Sequence, residues 1–73
     1  MYRPHFIEFK AEDRDKAYPI INKHYDLHNI DDYRIYEDTV GGVKRLTVKL
    51  YLYISDDLEL IKDDFRKAGV ELF

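Results

Sequence analysis

The chain has 73 residues, with no Cys or Trp, three Gly and two Pro. This is the length of one small domain, so we expect residues 1–73 to form a single domain. Lys and Arg total 12 and Asp and Glu total 15, so the formal net charge is −3. That charge argues against duplex DNA as a partner, and the lack of Cys excludes thiolate metal sites and thiol nucleophiles. The longest uncharged runs, Leu50–Ser55 and the equally long Ala17–Asn22, are too short for a transmembrane helix.

A strand over Tyr2–Lys10 and a following helix are the first predicted elements. Ile7 and Phe9 alternate with their neighbours at the two-residue period of a pleated strand. Charged residues occupy positions 12–16, and carboxylates there suit the positive end of a helix dipole. We therefore expect the helix to begin just after an N-cap at Asp13 or Asp15.

The first helix is expected to end near Leu27 or His28. Pro19 constrains its start, because proline is tolerated only where no helical N–H is needed. An N-cap at Asp15 puts Pro19 at the fourth helical position. Residues three and four apart form the expected buried stripe, which consists of Ala17, Ile20, Ile21, His24 and Leu27.

A hairpin is predicted from two alternating runs, Tyr33–Val40 and Val43–Ile54, which flank Gly41 and Gly42. A Gly-Gly pair between such runs favours a two-residue turn. Placing Val40 opposite Val43 brings the apolar side chains of both runs onto one face, which supports this register. Residues 29–32 are expected to connect the hairpin to the first helix.

A second helix is expected to begin at Ser55 or Asp56, and Asp56 with Glu59 has the spacing of a capping box. Gly69 is the expected stop. The last four residues, 70–73, predict a short final strand. The expected buried stripe of this helix is Leu58, Ile61, Phe65 and Ala68.

The predicted fold is α+β, with the ferredoxin-like βαββαβ order of elements. Its four-stranded antiparallel sheet would have the first and third strands in the centre and both helices on one face. The side chains expected to pack beneath the helices are Ile7, Phe9, Ile35, Leu46, Val48, Leu50, Leu52 and Ile54.

The opposite, open face of the sheet is predicted to be rich in aromatic residues. It contains four basic and three acidic residues, so its net charge is +1 in an acidic chain. The residues expected on this face are Phe6, Glu8, Lys10, Asp32, Arg34, Tyr36, Asp38, Arg45, Thr47, Lys49, Tyr51 and Tyr53.

Binding of another protein is the function that this face favours, because Tyr, Phe and Arg are enriched at interface centres. The hydrophobic core of so small a domain gives only marginal stability, and small domains are commonly stabilised by a bound partner or by oligomerisation. A homodimer that buries two open faces, or pairing through an exposed edge strand, are alternatives. The predicted partner-binding residues are Phe6, Arg34, Tyr36, Lys49, Tyr51 and Tyr53.

Single-stranded nucleic acid is a second candidate partner. Phe6, Tyr51 and Tyr53 resemble, in their placement, the aromatic residues that stack bases in RNA-recognition domains. Tyr36 would join this platform, and Arg34 and Lys49 would meet phosphate. The third strand lacks the glycines of that consensus, and Glu8 would repel phosphate. A third interpretation is that Tyr and Thr simply cover a solvated sheet, since both have high strand propensity.

No catalytic, metal or cofactor site is predicted. His24 and His28 have the four-residue spacing of helical metal ligands, and His5 and Asp31 are the candidate further ligands. The motif is incomplete, however, because Tyr25 follows His24 where a metal-binding helix motif has Glu. Acidic pairs at 56–57 and 63–64 fit capping and a solvated helix face, and the pair at 31–32 precedes a strand. No positioned base, nucleophile or anion-stabilising loop accompanies them, so we expect no enzyme activity.

The sequence therefore predicts a small, non-enzymatic, protein-binding domain that acts as a stoichiometric inhibitor or an adaptor. Compact, acidic, Cys-free chains rich in Tyr are typical of inhibitors of bacterial enzymes encoded by phages and mobile elements, which is an association and not a motif. A cytoplasmic location and no membrane partner are expected, since no signal peptide is recognised in the sequence.

Overall fold

Three strands and two helices make up the computed structural model, which describes residues 3–73, so the predicted strand residue Tyr2 lies outside the described residues. The strands form one antiparallel sheet with the third strand in the centre. The α+β class and the two helices are therefore confirmed. Neither helix within residues 3–73 is long and apolar enough to cross a bilayer. The elements are β1 (Pro4–Lys10), a 3-10 turn (Ala11–Asp13), α1 (Arg14–Asp26), β2 (Ile30–Val40), β3 (Val43–Leu52) and α2 (Asp57–Lys67).

The predicted four-stranded sheet does not form, because the segment after α2 makes only one bridge, between Leu72 and Phe9. The N–H of Phe73 donates to the carbonyl of Glu8 at 2.9 Å, on the free edge of β1. Val70 is not available for strand pairing, since its N–H closes the end of α2. The described residues after Val70 therefore form a single bridge and not a ladder of hydrogen bonds.

The hairpin has the predicted register. Val40 lies opposite Val43, and Ile35 lies opposite Val48. Gly41 has φ 59° and Gly42 has φ 80°, the left-handed pair that a type I′ turn requires. β2 begins three residues earlier than predicted: a register shift just after Ile30 lets this side chain reach the core.

Of the two predicted N-caps of α1, Asp13 and Asp15, the structure has Asp13 in the cap position. The helix begins at Arg14, with Asp13 in the cap position but without a side-chain cap hydrogen bond. The 3-10 turn precedes it, and Arg14 Nε donates to the carbonyl of Ala11 at 3.2 Å. Pro19 consequently lies in the second turn of α1, where its missing N–H leaves one carbonyl without the usual helical bond.

Both helices end in a Schellman motif, in which a left-handed residue reverses the chain. In α1 that residue is His28, with φ 60°. The N–H of Asn29 donates to the carbonyl of His24 at 2.9 Å, and the N–H of His28 donates to Tyr25 at 3.1 Å. In α2 the corresponding residue is Gly69, with φ 83°, as the sequence predicts. His28 thus lies beyond α1 and not in its last turn.

The core lies between the helices and one face of the sheet. Three residues predicted to be buried are exposed: Leu27, Ile54 and Ala68. Each lies just past the end of its helix or strand, where the buried periodicity no longer applies. The buried apolar residues are Ile7, Phe9, Ala11, Ala17, Ile21, Ile30, Leu46, Val48, Leu50, Leu52, Ile61, Phe65 and Val70.

Candidate interaction surface

The sheet face opposite the core carries no fully buried side chain among residues 3–73. Side chains alternate along β1 and β3, so every second residue faces away from the helices. This open face matches the predicted one along β1, β2 and β3. Its residues are Phe6, Glu8, Lys10, Asp32, Arg34, Tyr36, Asp38, Arg45, Thr47, Lys49 and Tyr51.

Two cations lie side by side at the centre of the open face. Lys49 of β3 is flanked by Phe6 of β1 and by Arg34 of β2 in the strand register. Like charges directly opposite one another destabilise a sheet. Among residues 3–73, neither cation has a carboxylate within ion-pair distance. The positive charge at the centre of this face is therefore uncompensated.

The ring of Tyr51 makes a cation–π contact with the ammonium of Lys49. The Lys49 ammonium lies 5.4 Å from the centroid of that ring. The hydrogen bond to the Tyr51 side chain raises the pKa of Lys49, while the neighbouring Arg34 acts in the opposite direction. A lysine is protonated at neutral pH with its ordinary pKa, so Lys49 and Arg34 are two adjacent cations.

Aromatic side chains surround this pair of cations. Phe6 is 57 % exposed and Tyr36 is 51 % exposed, while Tyr51 is half-buried. Tyr36 follows Arg34 by two residues on the same face of β2. The structure therefore brings five of the six predicted partner-binding residues into one patch of mixed aromatic and cationic character; their role in binding stays a prediction.

Tyr53, the sixth predicted residue, lies outside this patch. β3 ends at Leu52, so Tyr53 follows the strand instead of belonging to it. It is about half exposed and lines a shallow cavity of about 350 Å³ whose other walls include His28 and Asp31. The sequence pattern runs on apolar and aromatic to residue 54, which explains why the prediction extended the strand.

The C-terminal end of the chain adds a residue that the sequence analysis missed. The ring of Phe73 lies 4.1 Å from Cζ of Arg45, a cation–π distance. Arg45 Nη1 also lies 3.9 Å from Glu8 Oε1, and its buried Nε has no hydrogen-bond partner. The aromatic character of residue 73 was the available signal. Its position depends on the single bridge to β1, which no local pattern specifies.

The acidic residues of the open face are held by neighbours. Asp32 accepts a hydrogen bond from the N–H of Tyr33 at 2.9 Å, and Asp38 accepts one from the N–H of Thr39 at 2.8 Å. Glu8 faces Arg45. These carboxylates therefore flank the central cations without neutralising them.

His24 is only 2 % exposed and is used inside the protein. The Asn29 amide donates to its Nδ1 at 2.9 Å, so the neutral ring carries its proton on Nε2. Nε2 lies 2.6 Å from Asp64 Oδ2, and Lys23 Nζ lies 3.4 Å from the same oxygen. Both nitrogens of His24 are thus occupied. Within residues 3–73, no group of three His, Asp or Glu side chains has the arrangement of a metal site.

Comparison with known proteins gives a fold and no family. No family model and no curated protein matches the chain. A solved structure titled "Crystal structure of TsrL" is similar, with a TM-score of 0.65 over 86 % of this chain and 16 % sequence identity. The chain spans 20 % of the length of that protein. At this identity the similarity shows a shared fold alone, a small α+β domain with an antiparallel sheet and two helices.

Proposed function

We propose that this chain is a small protein-binding domain, an adaptor or a stoichiometric inhibitor, that docks through its open face. One observation carries the proposal: Arg34 and Lys49 lie opposite each other, and no carboxylate among residues 3–73 lies within ion-pair distance of either. They are bordered by exposed Phe6 and Tyr36. Exposed aromatic and Arg side chains of this kind are enriched at the centres of protein interfaces.

The charges indicate the chemistry of the partner. A carboxylate placed between Arg34 and Lys49 would relieve their mutual repulsion, and Arg can bind a carboxylate with two hydrogen bonds. Apolar side chains beside that carboxylate would cover Phe6 and Tyr36. We therefore propose an acidic residue within an apolar patch as the recognised feature of the partner protein.

We also propose that the fold belongs to the ferredoxin-like arrangement, with residues 70–73 as a rudimentary fourth strand. The bridge between Phe9 and Leu72 supports this view, because it lies on the free edge of β1. In that arrangement the fourth strand occupies this edge and the helices share one face. The open face is then the sheet surface available to a partner.

Site-specific photocrosslinking in the source cells tests the docking surface. A photoreactive phenylalanine is placed at Tyr36, which is 51 % exposed, and in a matched control at Leu60 of α2, which is 52 % exposed. We expect a discrete protein adduct from position 36 that disappears when Arg34→Glu is added and persists with Lys67→Glu. Adducts from position 60 alone, or adducts that are indifferent to Arg34→Glu, would contradict the proposal.

Single-stranded nucleic acid is the second candidate, favoured by the placement of Phe6 and Tyr51 on neighbouring strands. Stacking of one base on an aromatic side chain contributes about 1–3 kcal/mol. Titration of a fluorescent oligothymidine or oligouridine at low and high salt tests this candidate. Salt-sensitive binding that weakens by this amount in Tyr51→Ala supports it; no binding at low salt excludes it.

A further inference from the structure

Four backbone N–H groups point outward along the free edge of β2. The outer two are bonded to side chains of β2 itself, and the middle two are open to a partner. The N–H groups of Tyr33 and Thr39 donate to the side chains of Asp32 and Asp38. In an antiparallel ladder every second residue turns its N–H and carbonyl away from the paired strand. Ile35 and Glu37 share the alternation of Tyr33 and Thr39, and β2 has a neighbour on one side only. The N–H groups at 35 and 37 therefore point outward, and no acceptor within residues 3–73 is bonded to them.

A recess runs beside this edge, between α1 and β2. Its walls include Tyr18, Asn22, Tyr33 and Ile35, and its volume is about 250 Å³. Tyr33 and Ile35 are half-buried and pack against the core from the edge of the sheet. A strand added along β2 would direct one side chain into this recess, opposite Ile35.

The negative charge of β2 favours a positively charged strand as its partner at this edge. β2 contains four carboxylates and one guanidinium, so its formal net charge equals the −3 of the whole chain. Asp32 and Asp38 mark the two ends of the open stretch. Cationic side chains opposite these two positions would be complementary, as opposite charges in directly opposed positions stabilise a sheet.

We propose that the β2 edge accepts an extended segment of another protein as a fourth antiparallel strand. The segment carries Lys or Arg opposite Asp32 and Asp38 and an apolar residue opposite Ile35. Its backbone exchanges hydrogen bonds with Ile35 and Glu37, and its apolar side chain fills the recess of α1 and β2. This mode of recognition is β-strand addition. It uses the β2 edge, with Asp32 and Asp38 at the margin of the open face, and not the central patch of Phe6, Arg34, Tyr36, Lys49 and Tyr51.

A second copy of this chain is a poor occupant of the same edge. Antiparallel pairing of two β2 strands centred on Ile35 places Asp32 of each copy opposite Asp38 of the other. Like charges directly opposite destabilise such a pairing. The carboxylates therefore disfavour self-association while they favour a basic segment.

Amide hydrogen exchange of the full chain with a designed peptide tests the proposal. The probe is acetyl-Lys-Val-Thr-Leu-Thr-Val-Lys-amide, in which the central Leu lies opposite Ile35. When the free peptide concentration is ten times its dissociation constant, we expect the hydrogen exchange of the Ile35 and Glu37 amides to slow about tenfold. The amides of Arg34 and Tyr36, which face β3, should change little. Controls are the peptide with Glu at both ends and the peptide N-methylated at Leu, and neither should protect Ile35.

Variants that remove one carboxylate charge test the same site through the affinity for the peptide. Asp38→Asn should weaken binding of the Lys-ended peptide, whereas the matched variant Asp26→Asn on α1 should not. Tyr51→Ala, on the open face, should leave peptide binding intact, so this test is independent of the proposed function. The proposal is overturned if millimolar peptide leaves Ile35 and Glu37 unprotected, or if bound peptide perturbs Lys49 and Phe6 instead.

Discussion

His24 Nε2 donates to Asp64 Oδ2 at 2.6 Å and thereby joins α1 to α2. The Asn29 amide fixes the opposite nitrogen of the ring, so the tautomer and the orientation of His24 are set by the residue just beyond α1. A buried polar ring with both nitrogens occupied contributes to stability only while both partners remain. The pair is therefore a structural contact between the helices, and its loss has a measurable cost.

Asp64→Ala is expected to lower the free energy of unfolding by roughly 1–3 kcal/mol, because it leaves the Nε2–H of a buried His24 without an acceptor. Urea unfolding at neutral pH measures the change. The matched control is Asp63→Ala, which removes an exposed ion pair with Arg66 at 2.9 Å and should cost at most about 1 kcal/mol. Equal losses in the two variants would show that His24 does not depend on Asp64.

The pH dependence of stability should show the same contact. The hydrogen bond from His24 lowers the pKa of Asp64 below its ordinary value of 3.8. A carboxyl whose pKa falls on folding stabilises the protein fully above its unfolded pKa, and this contribution disappears as the pH falls through the folded pKa. The stability difference between wild type and Asp64→Asn should therefore be constant near neutral pH and shrink below about pH 4. Urea unfolding from pH 7 to pH 2 tests this, and a difference that grows on acidification would refute it.

His28→Gly is expected to stabilise the domain by roughly 0.5–1 kcal/mol, since His28 occupies the left-handed position that glycine favours. Thermal or urea unfolding measures the gain. The converse control is Gly69→Ala at the corresponding position of α2. An added Cβ there would meet only Lys16 Nζ, at 3.8 Å, so the loss of stability measures the strain of the left-handed backbone and not a steric clash. If His28→Gly lowers the stability of the domain, the side chain of His28 stabilises the fold by more than its left-handed backbone destabilises it.

Arg34→Glu should raise stability while it abolishes partner binding. A carboxylate opposite Lys49 replaces a like-charged pair by an opposite-charged one, a change of about 0.2–1 kcal/mol in favour of the folded state. The photocrosslink from position 36 should nevertheless disappear. Lys67→Glu, an exposed change at the end of α2, controls for the altered net charge. A stable Arg34→Glu protein that keeps its partner would move the interface away from the open face.

Size-exclusion chromatography with light scattering, at two concentrations, tests the homodimer alternative. Two open faces stacked about a twofold axis near Lys49 would bring Arg34 and Lys49 of one copy onto those of the other. We therefore expect a monomer at low salt. A stable dimer that Phe6→Asp converts to a monomer would show instead that the aromatic patch is used for self-association.

The hairpin could be predicted from the sequence because its information is local. Two glycines fix the turn, and the alternating side chains of β2 and β3 allow one register that buries a single face. The open-face neighbours Arg34 and Lys49 followed directly from that register. Five of the six candidate site residues were therefore placed correctly on one surface, although no sequence pattern defines what they bind.

The errors arose where an element ends or where contacts are distant. Leu27, Ile54 and Ala68 keep the apolar period but fall past the last residue of their elements. The sequence left Asp13 and Asp15 open as N-caps of α1, and the structure has Asp13 in that position, which puts Pro19 in the second turn, where proline is unusual. The bond between His24 and Asp64 joins residues 40 positions apart, so the helical spacing of His24 could not reveal its carboxylate partner.

The position of Phe73 has a practical consequence for anyone who handles this protein. Its ring lies on Arg45 and its N–H is bonded to Glu8, so the polypeptide leaves the sheet beside the aromatic and cationic patch. An affinity tag or fluorescent fusion joined after Phe73 would begin next to Arg45 and Glu8 of the open face. A pull-down that fails only with such a fusion would then report steric blockage by the tag. Immobilisation through an engineered cysteine at Leu60 on α2, which is 52 % exposed, keeps the sheet unobstructed.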